Sequence, residues 1–260
     1  MRLRIKNISK DFSARSGRVG ALDNVSLDIP TGQFVCLVGP SGCGKSTLLN
    51  LIAGLEKPDK GKINAQGKIG LMFQESALFP WLKVKDNVGF GLKIKGLPKE
   101  KIKPEVDKYL EMMHLSSFAE AYPHELSGGM KQRAALARTL ILNPDILLMD
   151  EPFAALDAQT RERLYVDLQE IWQKTRKTVV FVTHNVREAV CLGDKVEIFT
   201  ARPGKIKKEF LIKLPRPRDM GNLEVTKVSN EIMGELKIEI DKVIQEMQVY
   251  KKKNNNANHD

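Results

Sequence analysis

Cysteine, aromatic side chains and long apolar runs are all scarce in this 260-residue chain. The three cysteines, Cys36, Cys43 and Cys191, are too few and too scattered for a disulfide framework or a zinc site. Aromatic residues make up 6% of the chain, and no basic run is interleaved with them. A stacking surface for single-stranded nucleic acid is therefore poorly supported. No uncharged stretch approaches the ~20 residues of a membrane-spanning helix. Residues 1–5, Met1-Arg2-Leu3-Arg4-Ile5, lack the apolar core of a secretory signal. The expectation is a soluble, cytosolic protein that can still dock on a membrane partner. Acids are in deficit too, 32 against 42 Lys and Arg, giving a formal charge of +10. Such an excess suits nucleic acid, anionic lipid or nucleotide. Part of it sits in Lys251-Lys252-Lys253 near the polar end, so charge alone decides little. The length suits one large domain, or one domain with a subdomain.

What is present is concentrated in a few short stretches. Gly39, Pro40, Ser41, Gly42, Cys43, Gly44, Lys45, Ser46 and Thr47 form a complete phosphate-binding loop. Phe34-Val35-Cys36-Leu37-Val38 leads in as a buried parallel strand. Residues 45–53 lead out as a helix that Gly54 is placed to cap. Glycines let the backbone N–H groups curl toward phosphate oxygens, and the helix N-terminus adds partial positive charge. Lys45 is expected on the β- and γ-phosphates, and the Ser46 hydroxyl on Mg²⁺. These residues imply a nucleoside triphosphate as ligand. Cys36 reads as a small core residue, and Cys43, inside the loop, needs a reducing compartment to stay free.

Around this loop the pattern changes several times. Leu3-Arg4-Ile5-Lys6-Asn7-Ile8 and Val25-Ser26-Leu27-Asp28-Ile29 alternate as strands, with a polar hairpin or loop over 13–20. Gly61-Lys62-Ile63 and residues 68–73 read as short strands ending at Gln74. From Asn87 to about His124 the period becomes helical, with Val106, Leu110 and Met113 on one face and Pro104 placed near a helix start. Ile146-Leu147-Leu148-Met149 and Val179-Val180-Phe181-Val182 are continuously apolar, as central parallel strands are, with a helix over 161–174 between them. Ile232, Leu236, Ile240, Val243 and Met247 mark one face of a last helix, and residues 251–260 are expected to be disordered.

Two further motifs narrow the chemistry. Asp150 and Glu151 follow an apolar strand, at the end where ligands of parallel sheets sit. Asp150 is placed to hold Mg²⁺ and Glu151 to orient or deprotonate the attacking water. An acidic pair after a strand is also what a solvated helix N-terminus carries. Leu126-Ser127-Gly128-Gly129-Met130-Lys131-Gln132-Arg133 opens a helix that Ser127 caps and that stops at Asn143-Pro144. Ser127, Gly128 and Gly129 make a second anion site without a lysine of its own. An ordinary capped helix fits the same three residues. One nucleotide needs one phosphate site, whereas two chains facing head to tail each use the other's second site.

In this order the motifs resemble the ATP-binding subunits of ABC transporters, over residues 1–218. Residues 39–47 match the Walker A loop, 146–151 the Walker B strand, Gln74 the Q-loop glutamine and 126–129 the family signature. Ala155-Leu156-Asp157 resembles the D-loop, His184 the switch histidine and Phe12 the ring stacked on adenine, although an aromatic after a first strand also fits a core position. The resemblance implies an α/β fold: a P-loop NTPase core with a mixed sheet, an N-terminal antiparallel β subdomain and an inserted helical subdomain. The implied domains are 1–86 with 144–218 as ATPase core, 87–143 as helical subdomain, 219–250 as amphipathic helical extension and 251–260 as tail. Phe79-Pro80-Trp81-Leu82, Tyr122-Pro123-His124-Glu125-Leu126, Ala201-Arg202-Pro203-Gly204 and Leu214-Pro215-Arg216-Pro217-Arg218 are similar to importers of nitrate, sulfonates, taurine and related solutes. Met130, Ala154-Ala155 and Asn185 depart from the family's commoner residues, and the change at Asn185 is expected to weaken contacts at the dimer seam, bearing on turnover rate and not on reaction type.

The mechanism so implied has ATP and Mg²⁺ as ligands. Ser46, Gln74 and Asp150 serve the metal, Lys45 the phosphates, Glu151 the water and His184 the γ-phosphate, and Asp157 senses the partner. Ser127, Gly128 and Gly129 of a second subunit close the site, with a homodimer expected. Residues 74–82 are expected to meet an integral membrane permease at the cytoplasmic face, with an extracytoplasmic solute-binding protein beyond it. A plain core role for Phe79 and Trp81 is the alternative. Nucleic acid is not an expected partner. The rival is a soluble ABC-type ATPase acting on nucleic acid or ribosomes, and a third reading gives the 232–247 face a regulatory partner.

Overall fold

Backbone alternation and buried apolar runs set the architecture, which a computed structural model describes for residues 3–14, 17–154 and 156–257. Contacts divide the chain into two units. One holds residues 3–29, 35–64 and 182–260, the other 30–34 and 65–181.

In the first unit, β1 (Leu3–Ala14) pairs antiparallel with β2 (Gly17–Ile29), and β4 (Lys60–Ala65) lies on the other side of β1. This is the antiparallel β subdomain. Its strands continue through the polar segment expected as hairpin or loop, because backbone bonds in the register Phe12↔Val19 and Ala14↔Gly17 need no apolar side chain. β3 (Phe34–Val38) pairs parallel with β8 (Lys195–Phe199), and β8 pairs antiparallel with β9 (Ile206–Leu211). That combination makes the sheet mixed, within the α/β class. All five positions of both β3 and β8 are buried, as expected of strands covered on both faces. The helices α1 (Lys45–Ala53), α6 (Val186–Leu192) and α7 (Leu223–Ala257) complete the unit, with α7 packed on α6 and β8 through Val225, Ile232 and Leu236.

The second unit contains β5 (Ile69–Met72), β6 (Ile146–Asp150) and β7 (Thr178–Val182) in that order. With them go α2 (Val84–Ile94), α3 (Lys99–Met112), α4 (Gly128–Leu140) and α5 (Ala158–Thr175). β5 and β6 are parallel. Helix α4 packs on α2, α3, α5 and β5.

Two local expectations need correction. Pro104 lies inside α3, which begins at Lys99. The carbonyl it leaves without an amide belongs to the exposed Glu100, within reach of solvent. Helix α7 runs on to Ala257, through most of the segment expected to be disordered. Lysines 251–253 are good helix formers, and no Gly or Pro follows Gly234 to stop the helix. Residues 258–260 lie outside the described residues.

Candidate functional site

The phosphate loop is built by the change from strand to helix in the first unit. Gly39 and Pro40 are buried at the end of β3, while Ser41 and Gly42 are exposed at the tip. Cys43 N donates to Pro40 O at 3.3 Å, closing the turn. Gly44 precedes α1 with φ of 100°, and a Cβ there would lie 2.5 Å from Ala21 O, so both conformation and space require glycine. Lys45 is only 5% exposed: its Nζ donates to Gly39 O at 2.8 Å and Pro40 O at 2.9 Å. The ammonium thus sits within the loop's own curl, where a phosphate oxygen can take over from the two carbonyls. Ser46 is exposed and Thr47 half-buried in the first turn of α1, which carries no acid. Burial raises the Cys43 thiol, and the neighbouring Lys45 pulls it back only in part. The thiol therefore stays protonated and packs as a small apolar group.

His184 is exposed in the segment between β7 and α6. Thr183 N donates to Leu37 O at 3.2 Å, tying this segment to the strand that leads into the loop. The Thr183 hydroxyl donates to the buried Glu188 and accepts from Asn185 N. Asn185 Oδ1 caps α6, accepting from Arg187 N at 3.0 Å and Glu188 N at 3.3 Å. Within this chain, then, the departure at Asn185 is a helix cap. Phe12 is 38% exposed on β1, with Lys10 Nζ 5.2 Å from its ring centroid. An exposed ring under an ammonium is not a core residue, and the core alternative falls.

The remaining predicted residues belong to the second unit. Asp150 ends β6 half-buried, and Glu151 follows with φ of 43°, a left-handed conformation that turns the chain sharply after the strand. Asp157 caps α5, accepting from Thr160 N at 2.9 Å, and that bond holds its carboxyl below the usual range. Ala155 lies outside the described residues. Ser127 Oγ accepts from Met130 N at 3.3 Å, the expected cap of α4. Ser127 and Gly128 are exposed and Gly129 is buried.

Gln74 is exposed just beyond β5, and its backbone carbonyl accepts from Gln132 Nε2 of α4 at 2.9 Å. Six positions further along α4, Arg138 donates to Ser76 O at 2.9 Å and Ala77 O at 2.7 Å, its guanidinium 5.7 Å from the Phe79 ring centroid. Asn87 is 0% exposed: its Oδ1 accepts from Phe79 N at 2.8 Å and its Nδ2 donates to Phe79 O at 3.1 Å and Leu82 O at 2.9 Å. These three polar residues fix the 74–82 segment, and none was among the predicted site residues. Trp81 is 70% exposed, which excludes a core role for it, while Phe79 is half-buried against Phe90.

Comparison with known proteins places this geometry. The family described as ABC transporter matches residues 22–154. An uncharacterized ABC transporter ATP-binding protein of Methanocaldococcus jannaschii is 48% identical over 92% of this chain and 93% of its own length. The nitrate import ATP-binding protein NrtD of Synechocystis is 45% identical, covering 89% of this chain and 90% of its own. The aliphatic sulfonates import ATP-binding protein SsuB of Bacillus cereus is 42% identical, covering 90% and 95%. Among solved structures, a dimeric ATP-binding cassette in a post-hydrolysis state with ADP and Pi aligns with a TM-score of 0.73 and 34% identity, over 82% of this chain and 100% of that one. The chain belongs to the ABC transporter family, among its ATP-binding subunits.

Proposed function

We propose that two copies of this chain close around two ATP molecules, each phosphate loop being completed by Ser127, Gly128 and Gly129 of the other copy. The chain is an ATP-hydrolysing subunit of an ABC importer, the activity its relatives' names carry. The observation that most supports the composite site is the exposed, acid-free start of α4, with Ser127 and Gly128 open to an incoming anion. Lys45 and the amides of 39–47 hold the phosphates, and Phe12 lies against the adenine. The Ser46 hydroxyl, the Gln74 amide oxygen and the Asp150 carboxylate are hard oxygen donors of the kind Mg²⁺ takes. When bound, Mg²⁺ draws off charge from the phosphate oxygens. Glu151 orients the attacking water, and His184 steadies the γ-phosphate as charge develops there.

The 74–82 segment, bearing the exposed Trp81, is the docking surface for a membrane permease. Among the described residues no helix is long and apolar enough to cross a membrane, so the permease supplies the crossing. In this reading the subunit works at the cytoplasmic face, residues 87–143 act as the helical subdomain, and an extracytoplasmic protein delivers the solute. That solute is a small one of the nitrate, sulfonate or taurine kind. Nothing in the comparisons supports the nucleic-acid rival.

The test is Mg²⁺-dependent hydrolysis by the full chain over a range of protein concentrations, for wild type and Glu151→Gln. Wild-type specific activity is expected to rise with concentration. The variant should bind ATP but hydrolyse it about 10²–10⁴-fold more slowly, as loss of a general base does. Wild-type turnover in the variant sinks the role of Glu151, and concentration-independent activity sinks the composite site.

A further inference from the structure

A buried carboxylate on the C-terminal helix lies outside every motif named so far. Glu239 of α7 is 1% exposed, and its Oε2 accepts from Ala201 N at 3.0 Å. Its other oxygen faces Lys242 Nζ at 2.8 Å and Lys207 Nζ at 3.3 Å. Ala201 opens the turn that leaves β8. The turn is closed by Thr200, whose hydroxyl donates to Pro203 O at 3.2 Å and accepts from Lys205 N at 2.9 Å.

The far side of that turn is Gly204, and it lies directly on the phosphate loop. A Cβ at Gly204 would overlap the Cys43 carbonyl oxygen. Gly204 N donates to Ala21 O at 2.9 Å and Gly204 O accepts from Asp23 N at 3.0 Å, so it also pairs with the strand that walls the loop. Phe199, at the end of β8, touches the same loop: a Cβ at Gly39 would stand 2.8 Å from Phe199 Cβ. The loop therefore rests on the 199–204 turn, and the helix grips that turn at one backbone amide.

We propose that Glu239 is a positioning residue for the phosphate loop, acting through Ala201 and Gly204, so that the C-terminal helix sets nucleotide affinity from behind the site. This rests on the reading of residues 39–47 as the phosphate site. A buried backbone amide with one carboxylate partner is a stiff constraint, because losing the partner leaves the amide without water to replace it. The exposed Lys242 only screens the carboxylate and is not part of the path.

Two conservative variants separate this from simple helix docking. Glu239→Gln keeps the reach, and its amide oxygen still accepts from Ala201 N, but it loses the charge. Glu239→Asp keeps the charge but is shorter by one C–C bond, about 1.5 Å, and leaves Ala201 N out of range. Full-length variants are titrated with a fluorescent ATP analogue, with thermal melting alongside. Glu239→Asp is expected to weaken nucleotide binding about tenfold, the effect of one charge-assisted hydrogen bond, and Glu239→Gln to stay within about twofold of wild type. Equal weakening in both, the reverse order, or no change in Asp overturns the proposal. Lys45→Ala in the same titration is expected to lose binding outright. Retained binding there would defeat the phosphate-site reading itself, an outcome distinct from failure at Glu239.

Discussion

Asn87 makes the sharpest test of how the 74–82 segment is held. Its side chain, fully buried, bonds Phe79 N, Phe79 O, Leu82 O and, at 3.3 Å, Lys83 O. In Asn87→Ala the Phe79 carbonyl keeps its bond from Leu82 N, and the Lys83 carbonyl keeps its bond from Asn87 N in the helix. The loss therefore falls on Phe79 N–H and Leu82 C=O. At ~1–3 kcal/mol for each buried group deprived of its partner, and with both half-buried residues partly reachable by water, the cost is about 2–4 kcal/mol. A domain of this size loses ~2–4 °C of Tm per kcal/mol, so melting should fall by roughly 5–12 °C. Asn87→Asp is the more incisive change. It keeps the acceptor for Phe79 N but turns an oxygen toward the three carbonyls that Nδ2 now serves. The near-isosteric variant is therefore expected to melt no higher than the alanine one. Hydrogen exchange across residues 76–83 should rise in both: Ala removes the acceptor of the Phe79 amide, and Asp sets an oxygen against the carbonyls that anchor the segment. Melting of Asn87→Asp within about 1 °C of wild type, or unchanged exchange in that segment, would refute the assignment.

Two further outcomes follow from the first unit. Burial raises the Glu197 carboxyl from its ordinary 4.5 to about 7, against the pull of the Lys195 ammonium 2.9 Å away. A carboxyl raised in the folded state adds stability that is full below its unfolded value and is lost as pH climbs through the folded one. The Tm of Glu197→Gln relative to wild type should therefore increase between about pH 5 and about pH 8, and a decrease over that window would contradict it. Asn185→Ala should cost about 1 kcal/mol in urea unfolding through loss of the α6 cap, while Asn185→Asp, which keeps the acceptor, stays near wild type. Equal destabilisation by both would remove the cap as the reason for Asn185.

The phosphate loop was legible because strand, glycines and helix must follow one another in sequence for a backbone to wrap a phosphate. The bounds Phe34–Val38 and Lys45–Ala53, with Gly54 left-handed after them, coincide with expectation. Strand β8 was not legible. Lys195 and Glu197 interrupt its apolar run, yet they are 6% and 2% exposed, neutralising each other with Glu209 of β9 standing 2.8 Å from the same ammonium. Charge pairing across a sheet leaves no periodicity to read. Gln132 and Arg138 escaped for a related reason: each bonds a backbone carbonyl 58 to 62 residues away, and a carbonyl has no letter in the sequence. Phe12 and Trp81 were ambiguous in sequence because one aromatic letter serves core and ligand alike, and only their exposure separates the two.

The composite site gains from a comparison of helix starts within the chain. Helices α2, α3, α6 and α7 carry an acid in the first turn, Asp86, Glu100, Glu188 and Glu224, and α5 carries Asp157 as its cap. Acids there are favourable to a helix that merely has to end, since they cancel its partial positive charge. Among the described α-helices only α1 and α4 begin with neither. Both therefore leave that charge uncancelled, so an anion from outside the helix would be favoured at either end. The two ends are not equivalent. Helix α1 has the buried Lys45 at its start, a cation that α4 lacks at its own first position. Helix α4 offers amides and the exposed Ser127 hydroxyl, whose oxygen accepts from Met130 N and whose proton can still be donated. An end without a lysine suits completing a nucleotide held elsewhere better than capturing one from solution, and this inequality favours the proposal that the second phosphate surface serves a partner's site.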